Sequence, residues 1–315
     1  MLLRLYIYRF ILKIPLMKKF ISALAFAGLF AVPAKAQEAD TAAAPWKVSG
    51  VHNLLFNQAS FSNWSAGGQN SLALNALFDY NFNYKKGQWS WDTKLKAGYG
   101  ISNIDDFGWR KSEDIININS FVGRQANQYW LYSFFLDFQS QFAPGYNYAS
   151  DGARTHISGP FAPAFIQFGP GMAYKRSDNF YFNISPAASK LIIVNDDALS
   201  ARGAFGVDTG ETMAYQFGAT AMAYLKFDLV KNVTLENKLL LFSNYLEDAR
   251  NVDIDNQLNL NMKINDYLTT YFGLQLIYDD NILLPLSDAP DNTEFGPQLQ
   301  LKQLFGAGFT YKFPK

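Results

Sequence analysis

Between Ser71 and Ser102 the chain alternates apolar and polar residues with a period of two. Leu72, Leu74, Ala76, Phe78, Tyr80, Phe82 and Tyr84 fall on one face. Ser71, Ala73, Asn75, Asp79, Asn81 and Asn83 fall on the other, with Leu77 the apolar exception. Lys85-Lys86-Gly87-Gln88 supplies a polar turn, and the return arm sets Trp89, Trp91, Thr93, Leu95, Ala97, Tyr99 and Ile101 against Asp92, Lys94, Lys96 and Gly98. Such alternation predicts strands with one apolar and one polar face. Both arms exceed the usual five or six residues of a globular strand and are long enough to cross a bilayer at a tilt.

The same unit recurs along the chain. A first strand is predicted over Trp46–Phe56, and the hairpin gives the second and third. Further strands follow at Glu113–Arg124, Trp130–Phe142, Phe161–Tyr174, Phe180–Val194, Met213–Phe227, Val233–Tyr245, Val252–Ile264, Leu268–Tyr278 and Leu299–Phe313. The sixth and seventh alternate poorly, because Pro and Gly interrupt them. Short connections near Gly87, Ala126, Ser177, Asn232 and Asp266 alternate with longer ones near Gly67, Asp106, Gly152, Gly203, Asp248 and Asp288. Twelve antiparallel strands with short turns on one side and long loops on the other predict a closed all-β transmembrane barrel over 46–315. Its short turns would face the periplasm. Closure is required because an unpaired strand edge is not tolerated in hydrocarbon.

The leader adds a location. Met17-Lys18-Lys19, the apolar run Phe20–Val32 and Ala34-Lys35-Ala36 before Gln37 form a secretory signal with cleavage near Ala36/Gln37. Residues 1–16 precede that unit, so translation from Met17 is expected, with an unusually long leader as the alternative. Residues 37–45 are small and polar and form a flexible mature N-terminus. The expected location is the outer membrane of a Gram-negative bacterium. The expected partners are outer-membrane lipids including lipopolysaccharide, and the barrel-assembly machinery and periplasmic chaperones during biogenesis. Lys plus Arg and Asp plus Glu number 27 each, so no net charge directs the chain to nucleic acid. The absence of cysteine excludes disulfides, thiolate metal sites and a cysteine nucleophile. After the leader no apolar run is long enough for a membrane helix.

The final strand, ending Phe309-Thr310-Tyr311-Lys312-Phe313, is similar to the C-terminal assembly signal of outer-membrane barrels, with Pro314-Lys315 as an added tail. The segment Trp64-Ser65-Ala66-Gly67-Gly68-Gln69-Asn70-Ser71-Leu72 resembles a bacterial outer-membrane β-barrel family known as domain of unknown function 3078. That resemblance implies a barrel and no chemistry.

Candidate chemistry is sparse, and no catalytic, cofactor or metal residue is assigned. His156-Ile157-Ser158 places a base and a nucleophile on one strand face. The pair is similar to that of outer-membrane phospholipases, but Gly159-Pro160 stands where those enzymes carry Asn-Gly, and Gln167 is the only nearby amide to orient the histidine. His156 is therefore read as a loop residue, and His52 as a lumen or interface residue. Glu247, Asp248, Asp253, Asp255, Asp279, Asp280, Asp288, Asp291 and Glu294 could ligate calcium, but they lack EF-hand spacing and are read as solvated loop charge. Tyr84, Trp89, Trp130, Phe180, Phe227, Tyr267 and Phe313 beside short turns, and Phe56, Trp64, Trp109, Phe142, Tyr245 and Tyr278 near long loops, read as two interfacial girdles, with sugar stacking as the alternative. The Trp64–Gly68 loop reads equally as an ordinary outer loop or a lumen plug.

The predicted lumen face mixes Asp79, Asp92, Asp137, Glu236, Asp253 and Asp255 with Lys94, Lys96, Lys226, Lys238, Lys263 and Lys302, so neither sign dominates. Passive transport or binding of small solutes or apolar ligands is the first expectation. A structural or assembly role comes second, and lipid hydrolysis through His156 and Ser158 third.

Overall fold

The computed structural model describes residues 45–60, 70–104, 107–149, 152–286 and 294–314. The leader over 1–36, residues 37–44, the Trp64–Gln69 part of the family motif, Asp288 and Asp291 lie outside them.

Period-two alternation becomes strand wherever it is strong. The strands are β1 (Trp46–Ala59), β2 (Ser71–Lys86), β3 (Trp89–Ile104), β4 (Gly108–Gln125), β5 (Trp130–Ser140), β6 (Gly145–Tyr148), β7 (Arg154–Ser158) and β8 (Ala164–Ser177). They continue with β9 (Phe180–Ile193), β10 (Met213–Val230), β11 (Val233–Asn244), β12 (Asp253–Lys263), β13 (Leu268–Tyr278), β14 (Leu283–Pro285), β15 (Phe295–Pro297) and β16 (Gln300–Phe313). Twelve close into an antiparallel barrel in the order β1-β16-β13-β12-β11-β10-β9-β8-β5-β4-β3-β2. The seam joins the two chain ends, with Gly50 opposite Phe313 and Leu54 opposite Phe309. These are the twelve strands that the alternation predicts.

The turns explain the short side. Gly87 takes a positive φ of 57° between β2 and β3, and Asn232 one of 68° between β10 and β11. At β12–β13 the Asn265 side chain accepts from the Tyr267 and Leu268 amides at 2.8 Å each, an Asx-type turn.

Three details differ from the sequence reading. β3 runs on to Ile104 and β4 begins at Gly108, so the connection near Asp106 is three residues long and not a long loop. The loop over 144–160 holds its own hairpin, β6 paired with β7, and a second small hairpin pairs β14 with β15. β8 alternates poorly because Gly169, Pro170 and Gly171 interrupt it, whereas β9 does so because it carries a bulge. Ser185 faces Thr220 while Ala188 faces Gly218, so Pro186 and Ala187 of β9 oppose the single Ala219 of β10. Inward positions therefore change phase from Tyr181, Asn183 and Ser185 to Ala188, Lys190 and Ile192.

The outer face is apolar. Leu54, Phe56, Phe78, Phe134, Met172, Ile184, Phe305 and Phe309 are exposed, and Tyr132 and Leu301 reach 63% and 64%. A continuous apolar band of this kind is unfavourable in water and favourable in hydrocarbon. Trp89, Trp130, Phe180, Phe227 and Tyr267 at the short-turn end, and Phe56, Trp109, Phe142 and Tyr245 at the long-loop end, are exposed as interfacial girdles require. Trp64 lies outside the described residues. Among the described residues no helix is long and apolar enough to span a membrane.

Candidate functional site: the barrel lumen

Opposite strand faces point inward, so the polar residues of the alternation meet across the barrel. At the short-turn end they enclose a cavity of about 340 Å³, lined by residues including Asp79, Asn81, Lys94, Lys226, Glu236 and Asn261. A neck of about 30 Å³ follows, lined by residues including Leu77, Glu113, Lys302 and Leu304. Beyond it lies a cavity of about 160 Å³ toward the long loops, lined by Asp114, Gln139, Gln141 and Gln275 among others. Lys96, Asn259 and Tyr271 line both the first cavity and the neck. Gln275 and Lys302 line both the neck and the outer cavity. The three spaces therefore abut along the lumen, and the neck between them is formed by β2, β3, β4, β12, β13 and β16.

The neck is held by hydrogen bonds from side to side. Lys96 Nζ donates to Asn259 Oδ1 at 3.1 Å and to Tyr271 Oη at 3.0 Å, while Tyr271 also donates to Asn259. Tyr271 packs with Leu55, Leu77 and Leu304. Lys302 Nζ meets Glu113 Oε1 at 2.8 Å on the outer side. A volume of 30 Å³ is about that of one liquid water, which makes the neck the tightest of the three spaces.

One side of the lumen is packed. Phe121, Phe135, Tyr181, Met222, Tyr224, Leu240 and Phe242 form a buried cluster on β4, β5 and β9–β11. Tyr181 stacks on Tyr224 with ring centroids 5.3 Å apart. A polar belt borders this cluster. Asp137 accepts from Asn119 at 3.0 Å and Gln139 at 2.9 Å, and pairs with Lys238. Asp255 accepts from Gln139 at 2.8 Å, Gln257 at 3.1 Å and Gln275 at 3.0 Å. Saturating both carboxylates in this way removes the penalty of burying them unpaired. Lower down, Lys94 reaches across the barrel to Glu236 at 3.4 Å, with side chains 26% and 28% exposed. A long, partly wet pair of this kind is weak, at about 1 kcal/mol or less.

The long-loop end is covered by a short turn of helix, α1 (Asp197–Ser200), capped by Asp196, whose Oδ1 accepts from the Ala198 and Leu199 amides. Leu199 and Val207 pack there on Ala162, Ile192 and Val194. The β6–β7 hairpin is pinned by Arg110 against the Tyr148 ring at 4.1 Å. Asp114 fastens its base by accepting from the Phe142 and Ala143 amides.

His156 and Ser158 share a face of β7, outside the barrel wall. The histidine Nδ1 lies 3.8 Å from Asp196 Oδ2, beyond hydrogen-bond reach, and packs against Tyr146. Gln167, the amide considered for orienting it, instead donates to Thr220 inside the barrel at 2.5 Å. His52 lies on the outer face at the seam, not in the lumen. It bonds Tyr80 Oη at 2.8 Å among the rings of Phe78, Tyr311 and Phe313.

Of the acidic residues, Asp253, Asp279 and Asp280 converge to within 4.8 Å of one another. The Lys190 ammonium already occupies that cluster, 2.6 Å from Asp253 and 2.8 Å from Asp279. Asp255 is not part of it, and Glu247 bonds Asn281 instead. Outside the wall, Asp266 is held below the usual carboxylate range by the hydrogen bond and charge of Lys263.

Lys190, Glu113 and Tyr271 are lumen residues that the sequence reading did not single out. The bulge in β9 hides the phase of Lys190. Glu113 stands where the predicted strand begins, and Tyr271 is a tyrosine in a chain full of lipid-facing aromatics.

Among curated proteins none matches the sequence. Solved structures that resemble the barrel include an outer-membrane channel from Pseudomonas putida F1, at 9% identity and a TM-score of 0.36, covering 84% of this chain and 95% of that one. The NanC porin gives 10% identity and a TM-score of 0.34, over 83% and 98%. The translocator domain of the autotransporter NalP from Neisseria meningitidis gives 10% and 0.28, over 86% and 90%. Residues 56–146, the span that holds the Trp64–Leu72 segment, match the family described as "Protein of unknown function (DUF3078)", so the family resemblance read from that segment stands.

Proposed function

We propose that this barrel lies in a bacterial outer membrane and binds and passes small polar solutes through its lumen. The observation that carries the reading is the string of abutting cavities, about 340, 30 and 160 Å³, which share Lys96, Asn259 and Tyr271 at one junction and Gln275 and Lys302 at the other. A barrel with only a structural role has no need of a polar path beside its packed half. The lining of amides, lysines and carboxylates favours polar over apolar cargo. The neck closes the path at rest, so passage waits on movement of Lys96 and Tyr271.

Liposome swelling tests the proposal. Vesicles carrying the folded protein swell in small polar solutes such as glycerol or arabinose and not in a long oligosaccharide. Vesicles no more permeable than protein-free controls to every solute would contradict it.

A further inference from the structure

Charge along the lumen is balanced in sum but not in place. The short-turn cavity is lined by Lys94, Lys96, Lys226, Lys238, Lys263 and Lys312, against the carboxylates Asp79, Asp228 and Glu236. A pocket of about 90 Å³ toward the long loops reverses this, with Asp137, Asp253, Asp255 and Asp279 against Lys190 alone. The Lys238–Asp137 pair joins the two regions. Like charges gathered in a low-dielectric enclosure reinforce one another's field, so the cavity attracts anions even though the whole chain is neutral.

Several of these lysines are committed. Lys94 is paired with Glu236, Lys238 with Asp137 and Lys263 with Asp266. Lys96 bonds only neutral oxygens, on Asn259 and Tyr271. The ammonium groups of Lys226 and Lys312 make no direct hydrogen bond or ion pair among the described residues, and both line the cavity; Lys226 lies in the field of Glu236 and Asp79, and Lys312 is exposed. Asp228 is engaged by Thr234 at 2.6 Å. Two ammonium groups free of direct ion pairs among the described residues line a space of small-molecule size walled by amides and hydroxyls, where they offer charged contacts to an anion.

We propose that the short-turn cavity is a binding site for small organic anions bearing one or two carboxylates, with Lys226 and Lys312 as its charged contacts. This deepens the reading of the barrel as a solute conduit and names the class of solute held at its inner mouth. The site is weak and salt-dependent, as suits release into a conduit.

Titration calorimetry on the folded full chain in a neutral, phosphate-free detergent reads the site without a membrane, with succinate as the probe and its uncharged isostere succinamide as control. Saturable succinate binding is expected, fading as sodium chloride is raised, with no binding of succinamide. The Lys226→Met/Lys312→Met variant is expected to lose about tenfold or more in affinity. Since neither ammonium makes a direct hydrogen bond or ion pair among the described residues, the variant is expected to keep the fold, which unchanged heat-modifiable migration on a gel verifies. No saturable succinate binding, equal binding of succinamide, or unchanged affinity in the folded variant would each overturn the site. Swelling in neutral solutes without succinate binding would remove the site and leave the conduit. Succinate binding without permeability to any solute would do the reverse.

Discussion

Asp137 gathers Asn119, Gln139 and Lys238 around one carboxylate inside the barrel, with its side chain 3% exposed. Removing one partner of such a pair strands the other charge, at a cost of about 3 kcal/mol or more. Asp137→Ala is therefore expected to lower the stability of the vesicle-inserted protein by about that amount in urea titration. Asp137→Asn, which keeps a hydrogen-bonding partner for its neighbours, costs less. His156 and Ser158 stand at the other extreme. The structure adds Asp196 beside the histidine, but at 3.8 Å, and one oxygen of that carboxylate already caps α1. His156→Ala and Ser158→Ala are expected to leave solute permeability intact, and the wild type to release no fluorophore from labelled phospholipid in the presence of calcium. Release lost in both variants would make the pair catalytic. At this scale period two places Asp137 and Lys238 on the inner face directly from the sequence. Their pairing is illegible there, because 101 residues separate them and only barrel closure brings them together.

Strand phase decides what each element shows to lipid and what it shows to the lumen. Phe134 sits mid-way along β5, exposed on the outer face, while its neighbour Phe135 is buried within. Phe134→Arg puts a charge near the bilayer midplane, with an expected penalty of about 2–4 kcal/mol in equilibrium unfolding from vesicles. A penalty close to zero would place that face in water. The clean strands, β2, β3, β12, β13 and β16, and β10 as far as Asp228, are legible because nothing interrupts their period. β8 is not, because Gly169, Pro170 and Gly171 blur its period, and β9 is not, because Pro186 and Ala187 fall at a bulge that inverts the phase partway along it. The β6–β7 hairpin is equally hidden, since a Gly-, Asn- and Tyr-rich segment reads as loop whether or not two short runs of it pair.

For the whole molecule, number and order of the twelve barrel strands follow from the sequence, whereas the state of the lumen does not. Counting charges on the inner face predicts no dominant sign, and only the fold shows lysines gathered at one end and aspartates at the other. Closure of the barrel is expected to give the folded protein a gel mobility different from that of the boiled protein. Identical mobility would argue against a stable barrel. The central claim is that a string of polar cavities is shut at one neck, where Tyr271 lines both the short-turn cavity and the neck itself. Single-channel recording in planar bilayers tests it most directly, comparing wild type with Tyr271→Ala after both show the same heat-modifiable migration. The wild type is expected to open briefly and to small currents, and the variant, with the ring removed, to conduct steadily and at higher amplitude. Two proteins that are equally silent, or that conduct alike, would contradict the account.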